Sequence, residues 1–193
     1  SPYNSLDDLK QTKTGLKRKI KWKIKNMLEI YSRLLPKSYQ DIVLVSLYAR
    51  KQDLIKLQLA LGQFPDLHAP YVKMSEVDVN PGLRSKLIFP KGNDEFTSLL
   101  SQLIANQIPK SYLENYQELN KKSKKAFPKN PKVIVTANTH YFDEGFKVWC
   151  AYHMEKGVQL IGMPHGSCYG TSLGHSFETH EKKVADHYLS WGW

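Results

Sequence analysis

The end of this chain alternates between two kinds of segment, and that alternation leaves few folds open to it. Val133–Ala137 (VIVTA) is a short apolar run, and Val158–Met163 (VQLIGM) is another. Between them, Asp143–Lys156 carries Phe146, Trp149, Cys150 and His153 at helical spacing, and Gly157 ends it. Residues 177–185 are predicted helical, and Ala185–Trp191 (ADHYLSW) is a third candidate strand. Short apolar runs without strict alternation fit strands buried on both faces. Strand, helix, strand, helix, strand requires parallel pairing through right-handed crossovers. The expected class is α/β, a parallel sheet flanked by helices.

Upstream, Asp41–Ala49 (DIVLVSLYA) reads as one more buried strand, and residues 50–62 as a helix closed by Gly62. Residues 63–92 hold Pro65, Pro70, Pro81 and Pro90 and are expected to be irregular, with a short strand at Leu87–Phe89. A helix is predicted over 94–107, with Asp94 as its N-cap. Pro109 interrupts it, and a second helix runs over 110–126. The lysines and prolines of 121–132 form a solvated linker. Residues 12–35 read as a helix on Leu16, Ile20, Met27, Tyr31 and Leu34, stopped by Pro36. The expected organisation is a basic amphipathic helix over 1–36 and an α/β domain over 37–193.

The formal charge is +10, and most of it is local. Lys10, Lys13, Lys17, Arg18, Lys19, Lys21, Lys23 and Lys25 lie in one stretch without an acid. No apolar run reaches the ~18 residues that span a bilayer, and Ser1–Lys25 has no apolar signal-peptide core. Cys150 and Cys168 cannot build a disulfide framework, and no CxxC pair exists. The expected compartment is the cytoplasm.

Two strand ends carry the chemistry. After VIVTA come Asn138, Thr139, His140, Tyr141, Phe142, Asp143 and Glu144. After VQLIGM come Pro164, His165, Gly166, Ser167, Cys168, Tyr169 and Gly170. Parallel strands would open both loops on one edge of the sheet, where ligands of such folds bind. Six of the seven histidines follow residue 139. His165, in a tight turn between Pro164 and Gly166, is read as functional, contacting a donor phosphate or carboxylate or relaying a proton, while Asp143 is the first choice for the catalytic base or nucleophile. His153 and His187 fit structural positions. Asp143 is read as a helix N-cap and as a catalytic carboxylate, roles that are compatible. Glu144 points either along its helix or into the site. Glu178 and Glu181 flank His180, as a solvated helix face or a second carboxylate pair. His175, Glu178, His180 and Glu181 match no metal signature, so no metal is expected. GxGxxG and GxxxxGK[ST] motifs are absent.

The order VIVTAN, DEGFKVWCAYHMEKG, VQLIGMPHGSCYG and HEKKVADHYLSWGW resembles transferases encoded in bacterial O-antigen and surface-polysaccharide clusters. These are similar to GT-B glycosyltransferases, particularly Kdo-transferase-like enzymes. The resemblance covers residues 108–193, including Ile108–Tyr116 (IPKSYLENY), and is poor before them. That family reads QHG-G-x-YG where this chain has Pro164 to Gly170, so a glutamine amide is missing. The resemblance implies a Rossmann-like domain, the N-terminal half of a GT-B enzyme, with a second domain downstream. It implies transfer of a Kdo-like sugar from a CMP donor to a polysaccharide or lipid-linked acceptor. Asp143, His165 and Glu144 would then be catalytic. Asn138, His140, Gly166, Ser167, Tyr169, Glu178, His180 and Glu181 would bind substrate, with no cofactor besides the nucleotide sugar. Lys17, Lys19, Lys21 and Lys23 would meet an anionic membrane surface at the inner membrane. Nucleic acid is not expected, since no recognition motif accompanies the basic stretch. The alternatives are a non-catalytic carbohydrate- or membrane-binding module and a metal-dependent hydrolase.

Overall fold

A computed structural model describes residues 19, 23, 27, 40–67, 70–87, 94–166, 168–190 and 192. The predicted helix over 12–35 lies outside them except for Lys19, Lys23 and Met27, which are helical and exposed. Lys17, Lys21 and Ser167 lie outside them too. The chain divides into two compact units, residues 1–40 with 49–69 and residues 41–48 with 70–193.

In the first unit, helix α1 (Lys51–Ala60) ends in a turn at Gly62, whose φ of +71° suits a residue without a Cβ. The buried Gln58 side chain ties the returning strand of loop to the helix. Its Nε2 donates to the Asp66 carbonyl at 3.1 Å, and its Oε1 accepts the Asp66 N–H at 2.7 Å.

The second unit is built on a four-stranded parallel sheet in the order β1-β2-β3-β4. The strands are β1 (Ile42–Val45), β2 (Val133–Thr136), β3 (Gln159–Gly162) and β4 (His187–Tyr188). The α/β class read from the alternation is the one observed. Two details differ. Burial alternates along β1 and β3, with Val43, Val45 and Leu160 in the core and Ile42, Leu44 and Ile161 only half buried, whereas in β2 Ile134, Val135 and Thr136 are all buried, as expected of a strand covered on both faces. The third candidate strand is two residues long, with the Asp186 carboxylate accepting the Leu160 N–H at 2.8 Å just before it. Strand order never reverses, so the sheet has no topological switch point, and its carboxyl edge is one continuous rim.

The connecting helices follow the predicted caps. The segment over 63–80 is irregular, and short helix α2 (Pro81–Arg84) runs into a 3₁₀ turn over Ser85–Leu87 where a strand was expected at 87–89. Residues 88–90 are outside the described set. Helix α3 (Glu95–Gln107) starts at Asp94, which accepts the Thr97 N–H at 2.8 Å. The predicted helix over 110–126 splits into a 3₁₀ turn, Lys110–Tyr112, and helix α4 (Tyr116–Ala126). Short helix α5 (Thr139–Phe142) occupies what read as loop, and helix α6 (Glu144–Met154) follows. Helix α7 (Ser176–Val184) precedes β4. Helices α4 and α6 pack on the buried sheet face around Phe127, Phe146 and Trp149, all fully buried. Phe127 stacks on Trp149 at 4.9 Å, and the indole N–H donates to the Pro128 carbonyl at 2.9 Å. This layer fixes the ends of β2 and β3.

Candidate functional site

The loops that leave β1, β2 and β3 meet at the carboxyl rim. β2 ends at Thr136, whose hydroxyl bonds the Thr139 hydroxyl at 2.9 Å and accepts the Thr139 N–H. That turn starts α5 and holds Asn138 and His140 at the strand end. At the end of β1, Ser46 adopts φ 51°, the left-handed region, and the chain swings Tyr48 over the same rim. The Asn138 side-chain amide donates to the Tyr48 hydroxyl at 2.6 Å. The Tyr48 ring stacks on the imidazole of His165, centroids 6.1 Å apart. His165 follows β3, as expected from its Pro-His-Gly turn.

Aromatic rings complete the cluster. The His140 and His180 centroids are 5.9 Å apart, and Tyr141 lies 5.5 Å from His180 and 6.2 Å from His165. Tyr141 donates to the Phe177 carbonyl at 2.9 Å, which docks α7 against the end of α5. Burial, then the neighbouring His180, His165 and Lys147, lower the His140 pKa to about 4, so its ring is neutral at pH 7. Both His140 ring nitrogens and Asn138 Oδ1 are buried with no protein partner among the described residues.

Beneath the rim lies a buried polar node. Glu181 is 1% exposed. Its Oε1 accepts the Tyr169 hydroxyl at 2.7 Å, and its Oε2 accepts the Tyr188 hydroxyl at 3.0 Å. The Tyr169 oxygen lies 2.8 Å from His165 Nδ1, and Glu181 Oε1 lies 3.1 Å from the same nitrogen. Burial, then bonding to Glu181, pushes the Tyr169 and Tyr188 phenols far above their ordinary range, so both keep their protons. His165 is about one-quarter exposed, and its Nε2 has no protein partner among the described residues.

The remaining expected site residues take other positions. Asp143 caps α6, its Oδ1 accepting the Phe146 N–H at 2.8 Å, and among the described residues it hydrogen-bonds no histidine. Glu144 is held by the Tyr112 hydroxyl and by Lys147 Nζ at 2.6 Å. Glu178 is buried and braces the loop after β3 by accepting the Gly170 N–H at 3.0 Å, with Lys182 on its other oxygen. Lys182 and that N–H hold its carboxyl below the usual range. Gly166 sits against the Tyr169 ring, where a Cβ would lie 3.6 Å from it. His175, unassigned from sequence, caps α7 through Nδ1 and lies 3.1 Å from the exposed Cys168 sulfur through Nε2. Buried Cys150 is pushed up to about 12 by desolvation and is inert packing. Among the described residues no three His, Cys, Asp or Glu side chains converge as metal ligands.

Sequence reasoning missed Tyr48, Tyr141 and Tyr188. Tyr48 looked like the tail of a strand, and only the left-handed turn at Ser46 reveals it as a rim residue.

The rim offers an accessible imidazole nitrogen, two further imidazoles and several phenols, a set suited to moving a proton beside a polyhydroxylated or anionic substrate. No curated protein and no solved structure matches the chain. The family model described as LIC12162 family transferase matches residues 2–193. The chain belongs to the LIC12162 family of transferases.

Proposed function

We propose that this transferase is a glycosyltransferase of surface-polysaccharide assembly, moving a Kdo-like sugar from a CMP donor to a hydroxyl of a polysaccharide or lipid-linked acceptor. One observation carries the reading: His165, at the end of β3, has an anchored Nδ1 and, among the described residues, no partner on Nε2. Nε2 takes the proton of the acceptor hydroxyl as its oxygen bonds to the anomeric carbon. The bond from that carbon to the nucleotide phosphate breaks, and the phosphate leaves with the electron pair. Asn138, His140, His180 and Tyr48 surround the sugar, and the rim phenols exclude water. The sequence likeness of residues 108–193 to polysaccharide-cluster transferases supports the sugar. The basic stretch with Lys17, Lys19, Lys21 and Lys23 supports contact with an anionic inner-membrane surface, where a lipid-linked acceptor would be met.

The test is nucleotide release from CMP-, UDP- and GDP-sugars, with and without membrane glycolipid. Release from a CMP-sugar that falls on the order of 10²–10⁴-fold in His165→Asn is the expected result. Asp143→Asn keeps the helix cap and removes the charge. Unchanged release in His165→Asn with loss in Asp143→Asn would return the base to Asp143. No release from any donor would favour the binding module.

A further inference from the structure

Glu181 occupies a place that the reaction does not explain. From sequence it stood as either a solvated helix face or one of a second carboxylate pair at the crevice, and its carboxylate is fully enclosed. A buried carboxylate is costly unless its oxygens are satisfied. Here two phenols satisfy it, Tyr169 on Oε1 and Tyr188 on Oε2.

The proton count then fixes the neighbour. Tyr169 has one hydroxyl proton, and it goes to Glu181 Oε1 at 2.7 Å. The Tyr169 oxygen therefore has only lone pairs left for His165 Nδ1, 2.8 Å away. Glu181 Oε1 also has only lone pairs for that nitrogen, at 3.1 Å. Both groups facing Nδ1 are acceptors, so Nδ1 must carry the hydrogen. A neutral imidazole has one N–H, which leaves Nε2 with its lone pair, on the side without a partner among the described residues. The stacked Tyr48 ring holds the imidazole plane from the face.

We propose that Glu181 and Tyr169 are positioning residues that lock His165 as its Nδ1–H tautomer and keep Nε2 available as the proton acceptor. When Nε2 takes a proton, the imidazolium charge is met by Glu181 through the same contact. Tyr188 holds Glu181 from the far oxygen and does not touch His165. The inference rests on His165 as the base for its consequence in turnover, whereas the tautomer is measurable without substrate.

The experiment is long-range ¹H–¹⁵N NMR of the histidine rings at neutral pH in the whole chain, with His165→Asn assigning the signal. The expected wild-type pattern is a protonated Nδ1 and an unprotonated Nε2. Tyr169→Phe and Glu181→Gln should shift His165 toward a tautomer mixture, while Tyr188→Phe should leave its pattern unchanged. In release assays, Glu181→Gln should lower kcat on the order of 10²-fold or more with KM little changed. Circular dichroism separates misfolding from loss of the lock, and Tyr169→Phe serves if Glu181→Gln does not fold. A wild-type His165 protonated on Nε2 overturns the inference. So does an unchanged tautomer in folded Tyr169→Phe and Glu181→Gln proteins. If the tautomer pattern is as expected but His165→Asn releases nucleotide normally, the lock stands and the glycosyltransferase base is wrong.

Discussion

His140 is a rim residue whose partial burial lowers its pKa. Its folded pKa near 4 lies below the ordinary 6.5, so between those values the unfolded chain takes up a proton that the folded chain refuses. Stability associated with His140 is therefore complete above pH 6.5 and is lost as pH falls toward 4. His140→Gln should flatten urea-measured stability across that window, and an unchanged slope would place the titration elsewhere. Gly145, in the first turn of α6, is set by space. A Cβ there would lie 2.4 Å from Val72 Cγ2. Gly145→Ala should cost about 1–3 kcal/mol by overpacking, and adding Val72→Ala should recover part of it in thermal melts. If Gly145→Ala melts like wild type, the contact yields freely. At this scale the sequence was informative where local chemistry decides. Pro164-His165-Gly166 after an apolar run marks a rim turn whatever surrounds it. Glu181 was legible only as one of two alternatives, a solvated helix face or a carboxylate at the crevice, because its enclosure arises only when the tertiary fold brings Tyr169 and Tyr188 over it.

Between elements, one ion pair organises an otherwise irregular stretch. Helix α3 ends at Gln107, leaving carbonyls without helical partners. The Arg84 guanidinium takes those of Ala105, Asn106 and Ile108 at 3.0–3.1 Å. Glu114, on the approach to α4, accepts from Arg84 Nε at 2.6 Å and Nη2 at 3.0 Å. It also accepts the Asn80 N–H at 3.0 Å, at the cap of α2. Arg84 and these backbone contacts hold the Glu114 carboxyl at about 2, below its ordinary 4.5. The sign follows: the pair stabilises the fold fully above pH 4.5, and that contribution disappears as pH drops toward 2. Glu114→Gln should lower the melting temperature at pH 7 and reduce the further loss on acidification. A variant that melts like wild type at pH 7 would show the pair to be dispensable. Helix caps such as Asp94 and Asp143 were legible, since a cap and its N–H are three residues apart. The Arg84–Glu114 pair was not, because thirty residues separate its partners.

At the scale of the whole molecule, chain order made the parallel sheet legible, because strands joined through helices cannot pair otherwise. The sheet's direction of growth was not, since both neighbours of a strand satisfy the same local pattern. Strand order 1-2-3-4 places three consecutive loops side by side on one rim, and so lets Tyr48, Asn138 and His165 meet. Charge distribution is the other global property, and it is independent of that rim. Among the described residues no helix is long and apolar enough to cross a membrane. Eight cations between Lys10 and Lys25, unopposed by acids, give this region a field that extends about a Debye length, ~10 Å at 0.1 M salt. Each lysine near an anionic bilayer contributes about 1 kcal/mol, so four together shift partitioning by roughly 10³-fold. The protein should float with vesicles containing anionic phospholipid at low salt. It should not float with zwitterionic vesicles or at ~1 M salt, where the Debye length shrinks to ~3 Å. Replacing Lys17, Lys19, Lys21 and Lys23 by Glu should abolish flotation without changing nucleotide release from a soluble acceptor. Equal flotation of the variant would instead assign the lysines to solvating their own segment, and the acceptor would then have to reach the rim without help from the bilayer charge.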